Sequence, residues 1–237
     1  MIPSSSSSFD VERSTLNVGR SAAGVTLPTF PARPVNGGPL EKAAPKFGTW
    51  RAEPKINGWR GLLHVESGTI WNRHGERLSI EDSFVHVIKE VADCVADGAA
   101  WLATHPAGLS YPPVEFLDVE CLDRRHSHGR GCLIVLDAVY PGTYADRRDI
   151  LLELFPLLDL NERLTEPTVR LIPSFPDAAK LYAELQERNA LYDPAWRRSP
   201  LNAFYEGIVC KRVDSLYPVQ LRNPSTEFPR WMKHRFA

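Results

Sequence analysis

Three stretches of the chain carry apolar residues at the three- and four-residue steps that an amphipathic helix requires. The first is SFVHVIKEVADCVADGAAWLATH, in which apolar residues recur from Phe84 to Val95. The others are ADRRDILLELFPLLDL and PDAAKLYAELQERNALY. Pro176 and Asp177, at the start of the last stretch, suit the first turn of a helix. The pattern therefore predicts three helices.

Many of the other apolar residues are β-branched or aromatic and lie between turn dipeptides, which is typical of strands. TWRAEPKI and WRGLLHVESGTIWNR are separated by Asn57-Gly58, and the second contains Ser67-Gly68, so we expect antiparallel strands joined by tight turns. PVEFLDVECL and CLIVLDAVY are apolar enough to be central strands, and FYEGIVCKRV and RWMKHRF add strands near the end. No internal repeat is visible in this order of elements.

Composition indicates how large a core the chain forms and where its folded body lies. The 237 residues are 43% hydrophobic and 24% charged, which is typical of a globular protein with one substantial core or two small ones. From Ser4 to about Pro45 the chain is rich in Ser, Pro, Gly and Ala, so we expect a flexible or extended segment over residues 1–45. The folded body is expected over residues 46–237.

Hydropathy, cysteine spacing and charge argue against several classes of protein. The start, MIPSSSSSFD, lacks the features of a signal peptide, and the chain has no run of about 18 apolar residues, so we expect a cytoplasmic protein without a membrane partner. Four cysteines without a CxxC pair suggest neither a zinc site nor a disulfide framework. With a net charge of -1, contacts with nucleic acid must come from local basic patches.

Lys55 is the first residue with candidate chemistry. On its own, a lysine beside Asn57-Gly58 is most simply a surface residue at a hairpin turn. A lysine can also act as a covalent nucleophile when its amine is uncharged, and nearby cations or burial favour that form. In that interpretation the turn fixes Lys55 on the rim of a pocket, and Arg60 reaches a bound phosphate or sugar.

Carboxylates in apolar strands form a second candidate group. Asp118 and Glu120 lie two residues apart and so share one face of a strand, where they are costly unless they meet a cation. Glu206 is followed by Lys211 at the end of another strand. A salt bridge at a strand end explains the first pair; alternatively, carboxylates that converge with lysines suit a magnesium–nucleotide complex.

Several short motifs occur in a fixed order along the chain. They are KING with Arg60, WNRHGE with Arg73, FLDVE ending in Glu120, VLDAVY with Asp137, EGIVCK with Glu206 and Lys211, and WMKHR with Trp231, Lys233 and Arg235 on one strand face. Together they resemble the covalent nucleotidyltransferase superfamily of ATP-dependent DNA ligases, RNA ligases and messenger-RNA capping enzymes. The resemblance covers about residues 46–236 and is strongest to the ATP-dependent DNA ligase branch.

This resemblance implies an α+β fold, the ATP-grasp-like catalytic (adenylation) domain of DNA ligases and mRNA capping enzymes. Antiparallel sheets flanked by helices would hold the nucleotide between them. Family members usually continue into an OB-fold domain, and no segment here is expected to form one. A stand-alone adenylation domain, a partner protein supplying the OB fold in trans, and a shortened chain are the alternatives.

The resemblance also implies ATP-dependent polynucleotide ligation, with Mg²⁺ or Mn²⁺ and nicked DNA, or RNA as the alternative. The same residues would also suit a non-catalytic nucleotide- or nucleic-acid-binding module. Lys55 would attack the α-phosphate of ATP to form a lysine–AMP adduct. Glu53 would face the adenine amino group, while Arg60 and Glu120 would hold the ribose and the neighbouring phosphate. The remaining residues implied to bind the nucleotide are Ile56, Arg73, Leu136, Ile208 and Trp231, the metal ligands are Glu120 and Glu206, and the catalytic lysines are Lys55, Lys211 and Lys233.

Two positions depart from the family pattern. Asn57 stands where Asp is commoner, which keeps the turn and removes a charge. Leu136 stands where family members usually carry an aromatic residue that stacks on adenine, so apolar contact survives and stacking does not. Trp59 or Tyr140 would be the aromatic residue that compensates.

Nucleic acid is expected to contact a basic loop and the last strand. The loop DRRHSHGRG supplies Arg124, Arg125 and Arg130, and WMKHR supplies Arg235. Arginines in such a loop suit a phosphate backbone, and a solvated loop explains them equally well.

Overall fold

The computed structural model describes residues 19–20, 26–27, 30–40, 44–45, 48–78, 81–104, 113–123, 128–192, 203–218 and 227–236. In chain order the strands are β1 (Gly19–Arg20), β2 (Thr26–Leu27), β3 (Arg33–Asn36), β4 (Trp50–Ile56), β5 (Trp59–His64), β6 (Thr69–Trp71), β7 (Phe116–Cys121), β8 (Leu133–Ala138), β9 (Val169–Leu171), β10 (Tyr205–Arg212) and β11 (Glu227–Arg235). The α-helices are α1 (Val85–Thr104), preceded by a 3-10 turn (Glu81–Phe84), α2 (Tyr144–Leu154) and α3 (Ala178–Tyr192).

A four-stranded sheet has the order β3, β11, β10, β4, and its three longest strands are antiparallel. The fourth strand, β3, pairs in parallel with β11 at the edge. The backbone N–H of Ala32 also donates to the carbonyl of Pro218. This sheet therefore includes residues from the N-terminal side of position 46, where the sequence predicts the folded body to begin.

A five-stranded sheet has the order β6, β5, β7, β8, β9. Its first four strands are antiparallel, and β9 pairs in parallel with β8 at the far edge. The predicted α+β class with mainly antiparallel sheets flanked by helices is confirmed, with one parallel edge strand in each sheet. β1 and β2 form a separate antiparallel pair.

The segment Asn57-Gly58 carries the chain from one sheet to the other. β4 ends at Ile56 in the four-stranded sheet, and β5 begins at Trp59 in the five-stranded sheet. The expectation of a hairpin at this dipeptide is therefore wrong, whereas the hairpin around Gly68, between β5 and β6, is confirmed. Asn57 anchors the crossing because its backbone N–H and side-chain amide donate to the carbonyls of Phe204 and Ala203.

The helices cover the outer faces of the sheets, and two hydrophobic cores result. One core lies between the five-stranded sheet and α1 with α2, and includes Phe84, Val91 and Leu151. The other combines residues of β4, β8, β10 and α3. All three predicted helices are confirmed, except that α2 ends at Leu154. Pro156 follows closely and disfavours a helical conformation at Phe155 before it, which is extended.

Among the helices that the structure describes, none combines the length and the apolar character needed to cross a lipid bilayer. All four cysteines are free thiols.

Candidate active site

A cleft with a volume of about 490 Å³ opens between the two sheets. Strands of both sheets and the segment before β3 supply its walls. The charged residues that line it are Arg33, Glu53, Lys55, Arg60, Arg73, Asp118, Glu120, Glu206, Lys211, Lys233 and Arg235. Most of the motif residues singled out in the sequence therefore lie around one cavity.

Lys55 lies on this cleft near the end of β4, and its ammonium group contacts Glu206 Oε2. The same oxygen lies 3.2 Å from Arg235 Nη2 on β11. The side chains of Lys55 and Glu206 are about one-fifth exposed, so both remain accessible from the cleft. A primary amine, a carboxylate and a guanidinium group thus meet at one point.

The strand β10 brings Glu206 and Lys211 to the same cleft although five positions separate them. In a regular strand an odd separation places two side chains on opposite faces. The pairing of β10 with β4 shifts register between Tyr205 and Gly207, and Gly207 has a φ of 143°. A Cβ at Gly207 would lie 2.0 Å from the carbonyl oxygen of His234, so only glycine fits this irregularity.

This irregularity also decides which apolar residue of β10 faces the cleft. Val209 lines the cavity. Ile208, implied by the resemblance to bind the nucleotide, is fully buried in the core beside α3 and does not line the cleft.

Lys211 is buried at the base of the cleft and has several partners. Its ammonium group lies 2.9 Å from Glu53 Oε2 and 3.3 Å from Asp137 Oδ2, and it donates to the carbonyl of Leu136. It also lies 4.3 Å from the ring centroid of Trp231. These partners hold the ammonium group in one position. Lys211 can therefore present a fixed positive charge to a ligand in the cleft.

Asp137 is held in turn by Arg147 of α2, a residue that the sequence left without a role in the chemistry. Arg147 is fully buried and forms a two-pronged ion pair with Asp137 at 2.7 and 3.1 Å. It also donates to the carbonyls of Gly142 and Ser215. Burial opposes the charge on Asp137, but Lys211 and Arg147 outweigh it and lower the pKa of Asp137 to about 2.

Glu120 faces the cleft from β7 with one oxygen already engaged. The backbone N–H of Gly58 donates to Glu120 Oε1 at 2.8 Å. A Cβ at Gly58 would lie 2.7 Å from the carbonyl oxygen of Cys121, so the close approach requires glycine. Burial raises the pKa of Glu120 to about 7, although Lys55 and Arg60 oppose the shift. A cation bound beside Glu120 would therefore stabilise the ionised form of this carboxylate.

Arg60 binds Asp118 rather than standing free to meet a ligand. Two hydrogen bonds, at 2.8 and 2.5 Å, join the guanidinium group to the carboxylate. Tyr217 donates a further hydrogen bond to Asp118. The salt-bridge interpretation of Asp118 is therefore correct, and the salt bridge lines the cleft.

Among the remaining nucleotide-binding candidates, Ile56, Arg73, Leu136 and Trp231 all line the cleft. Of the two aromatic residues considered in place of Leu136, Trp59 lines the cleft and is 46% exposed. Tyr140 packs in the core beside α1 and α2 instead. Arg130 is exposed and does not line the cleft, whereas Arg124 and Arg125 lie outside the described residues.

Several residues that line the cleft were not assigned to the site from the sequence, among them Asp118, Val209, Phe30 and Arg33. For Asp118 the sequence left open a salt bridge or a carboxylate of a magnesium–nucleotide site, and Val209 lines the cleft because of the irregularity in β10. Phe30 and Arg33 belong to the segment that the sequence predicts to be flexible or extended. The alternation of proline and aliphatic residues around Arg33 gives no signal for the parallel pairing with β11.

No protein-family model matches the sequence, and neither does any curated protein sequence. The ligase domain of LigD from M. tuberculosis is similar in structure, with a TM-score of 0.48 and 19% identity over 86% of this chain and 59% of that chain. Chlorella virus DNA ligase-adenylate is similar with a TM-score of 0.44 and 11% identity over 88% and 69%. An archaeal ATP-dependent RNA ligase has a TM-score of 0.45 and 17% identity over 89% and 48%.

The chain thus spans about 60% of the length of the LigD ligase domain and about half of the length of the RNA ligase.

Proposed function

We propose that the chain is an ATP-dependent polynucleotide ligase that acts through a covalent adduct between Lys55 and AMP. The observation that carries this proposal is the position of Lys55, whose amine contacts Glu206 inside a cleft that also holds the late lysines of β10 and β11. A lysine that served only as a surface residue at a turn would be expected to point into solvent, not into this cleft. An amine beside a carboxylate and several cations suits attack on a polyphosphate.

In the first step the amine of Lys55 attacks the α-phosphorus of ATP. A nitrogen–phosphorus bond forms, and the bond from the α-phosphorus to the bridging oxygen breaks, so that pyrophosphate leaves with the electron pair. The ammonium group must first lose a proton, and Glu206 Oε2, in contact with it, is placed to accept that proton. Lys211, held by Glu53 and Asp137, supplies a fixed positive charge for the α-phosphate.

Glu53 has a place in this cleft, although its two oxygens already have partners. Oε2 pairs with Lys211, and Oε1 accepts a hydrogen bond from Tyr144. Each carboxylate oxygen has a second lone pair, so the adenine amino group would add to these contacts rather than replace them. Leu136 and Val209 would supply apolar contact to the base.

The residues present fit a divalent cation bound together with the nucleotide. Glu120 has one oxygen without a hydrogen bond from Gly58, and its raised pKa reflects a burial penalty that a cation would relieve. Magnesium is usually held by one or two carboxylates plus substrate phosphates, so Glu120 and Glu206 would suffice as protein ligands for Mg²⁺ or Mn²⁺. When bound, the ion would offset negative charge on the phosphates.

In the later steps AMP would pass from Lys55 to the 5′-phosphate of a nicked strand, and the neighbouring 3′-hydroxyl would then displace AMP. Arg235 lies at the mouth of the cleft with a side chain that is 55% exposed, which suits contact with a strand backbone. DNA is the proposed substrate, and RNA is the alternative within the same chemistry.

Intact mass measurement after incubation with ATP and Mg²⁺ tests the proposal. We expect the mass of one AMP to be added to the wild-type chain, none to be added to Lys55→Ala, and a chelator to prevent the addition. Nicked DNA and nicked RNA, each offered with radiolabelled ATP or GTP, then distinguish the substrates. If no metal supports an adduct on the wild-type chain, the non-catalytic binding module is the correct interpretation.

A further inference from the structure

The cations around the cleft differ in whether a carboxylate balances them. Most have a partner: Lys55 and Arg235 contact Glu206, Arg60 binds Asp118, and Lys211 pairs with Glu53 and Asp137. Lys233, Arg33 and Arg73 also line the cleft. Among the residues that the structure describes, none of the three has a carboxylate within ion-pairing distance, and Arg73 donates a hydrogen bond to His74.

The surroundings of Lys233 confirm that positive charge is in excess there. Burial and the charge of Arg235 lower its pKa, and Lys55 and Arg33 add to the effect, against the opposing charge of Glu227. Positive groups crowded together are costly unless an anion joins them. An anionic ligand would therefore be stabilised at this end of the cleft, where the described carboxylates do not balance the positive charge.

The pairing of β3 with β11 positions Arg33 at the cleft. The register places Arg33 opposite Glu227 and Asn36 opposite Lys233, with an irregularity between Phe228 and Met232. The N–H of Gly37 donates to the carbonyl of Lys233, which fixes the end of β3 beside that lysine. Arg33 is exposed, so its guanidinium group can turn toward a ligand at little cost.

We propose that Arg33 and Lys233 together bind the β- and γ-phosphates of ATP and hold the pyrophosphate that leaves when Lys55 attacks. This inference rests on the proposed function and adds a residue that none of the ligase-like motifs contains. The α-phosphate remains with Lys55 and Lys211. The strand β3 thus belongs to the nucleotide site, and Arg33 acts only in the step that releases or consumes pyrophosphate.

The test compares Arg33→Ala with Arg230→Ala. Arg230 is an exposed arginine of β11 that pairs with Asp214 and does not line the cleft, so it controls for the loss of one positive charge. Self-adenylylation with ATP and Mg²⁺ is followed by intact mass. The reverse reaction is followed by adding inorganic pyrophosphate to the purified AMP adduct.

We expect Arg33→Ala to slow adenylylation at limiting ATP by about tenfold, the loss expected for one charge-assisted hydrogen bond. It should slow the reverse reaction with pyrophosphate by a similar factor. Arg33→Lys should recover much of both rates, and Arg230→Ala should match the wild type. Unfolding temperatures of all variants are measured alongside, and Arg33→Gln, which also removes the charge, replaces Arg33→Ala if that variant is unstable.

Equal rates for Arg33→Ala and Arg230→Ala, in a wild-type chain that does form the adduct, would overturn this inference alone. A wild-type chain that forms no adduct would overturn the proposed function as well. A slower forward reaction with an unchanged reverse reaction would also contradict the assignment, because pyrophosphate would then bind elsewhere.

Discussion

Glu206 on β10 joins Lys55 on β4 to Arg235 on β11 through a single carboxylate oxygen. In the sheet register Gly207 is paired with both Lys55 and Arg235, so this link lies along one row of the four-stranded sheet. The carboxylate therefore fixes the direction of the candidate nucleophile.

Replacing Glu206 with Gln should reduce the rate of lysine–AMP formation by about 100-fold, because misplacement of a reacting group by about 1 Å has an effect of that size. The amide also cannot accept the proton that Lys55 must lose. Intact mass against time measures the rate, and Glu187→Gln, at an exposed position of α3 away from the cleft, serves as control. A rate close to that of the wild type would show that Lys55 needs no partner at this position.

Replacing Arg147 with Met should lower the free energy of unfolding by about 3–5 kcal/mol, because Asp137 would keep a buried charge without its main partner. Denaturant unfolding at neutral pH measures the change. Arg212→Met is the control, since its ion pair with Asp214 lies at the surface and its loss should have little effect. An equal effect of the two substitutions would contradict a special role for the buried pair.

Adding a methyl group at Gly207 should disrupt both the fold and the site. The residue has a positive φ, and the new Cβ would lie 2.0 Å from the carbonyl oxygen of His234. Gly75→Ala is a matched control, because Gly75 also has a positive φ but has open space around the added atom. We expect about 1 kcal/mol of destabilisation at Gly75, and at least about 3 kcal/mol at Gly207.

The same Gly207→Ala protein should lose adenylylation even at low temperature, where it remains folded by circular dichroism. The irregularity at Gly207 is what turns Glu206 into the cleft beside Lys55. Full activity in the folded variant would show that Glu206 reaches Lys55 without it.

Glu120 should make stability depend on pH over a defined range. Its pKa is raised by burial from 4.5 to about 7, so the folded state binds the proton more tightly than the unfolded state does. The stabilising contribution is complete below pH 4.5 and is lost as the pH rises through about 7. Denaturant unfolding at pH 5 and pH 8 measures the loss, and Glu120→Gln should remove this part of the pH dependence.

Local patterns in the sequence predict much of the fold. Helical spacing locates α1, α2 and α3, and alternation places Trp231, Lys233 and Arg235 on one face of β11, where all three line the cleft. These features depend on residues close together in the chain, so a periodic pattern is enough to indicate them.

Features that depend on distant parts of the chain are not visible in the sequence. The irregular pairing of β10 with β4 turns Val209 toward the cleft in place of Ile208. Arg33 enters the site through a parallel pairing with β11, almost two hundred positions later. The burial of Arg147 against Asp137 likewise depends on how α2 packs on β8, which no local periodicity specifies.

The crossing at Asn57-Gly58 has a mechanical consequence. Lys55 lies two residues from the point where the chain leaves one sheet for the other, and Asn57 is fastened there to Ala203 and Phe204. A rotation of one sheet against the other about this junction would displace distant parts of the cavity walls most and the amine of Lys55 least. The amine of Lys55 would therefore keep its position relative to this junction if the width of the cleft changed.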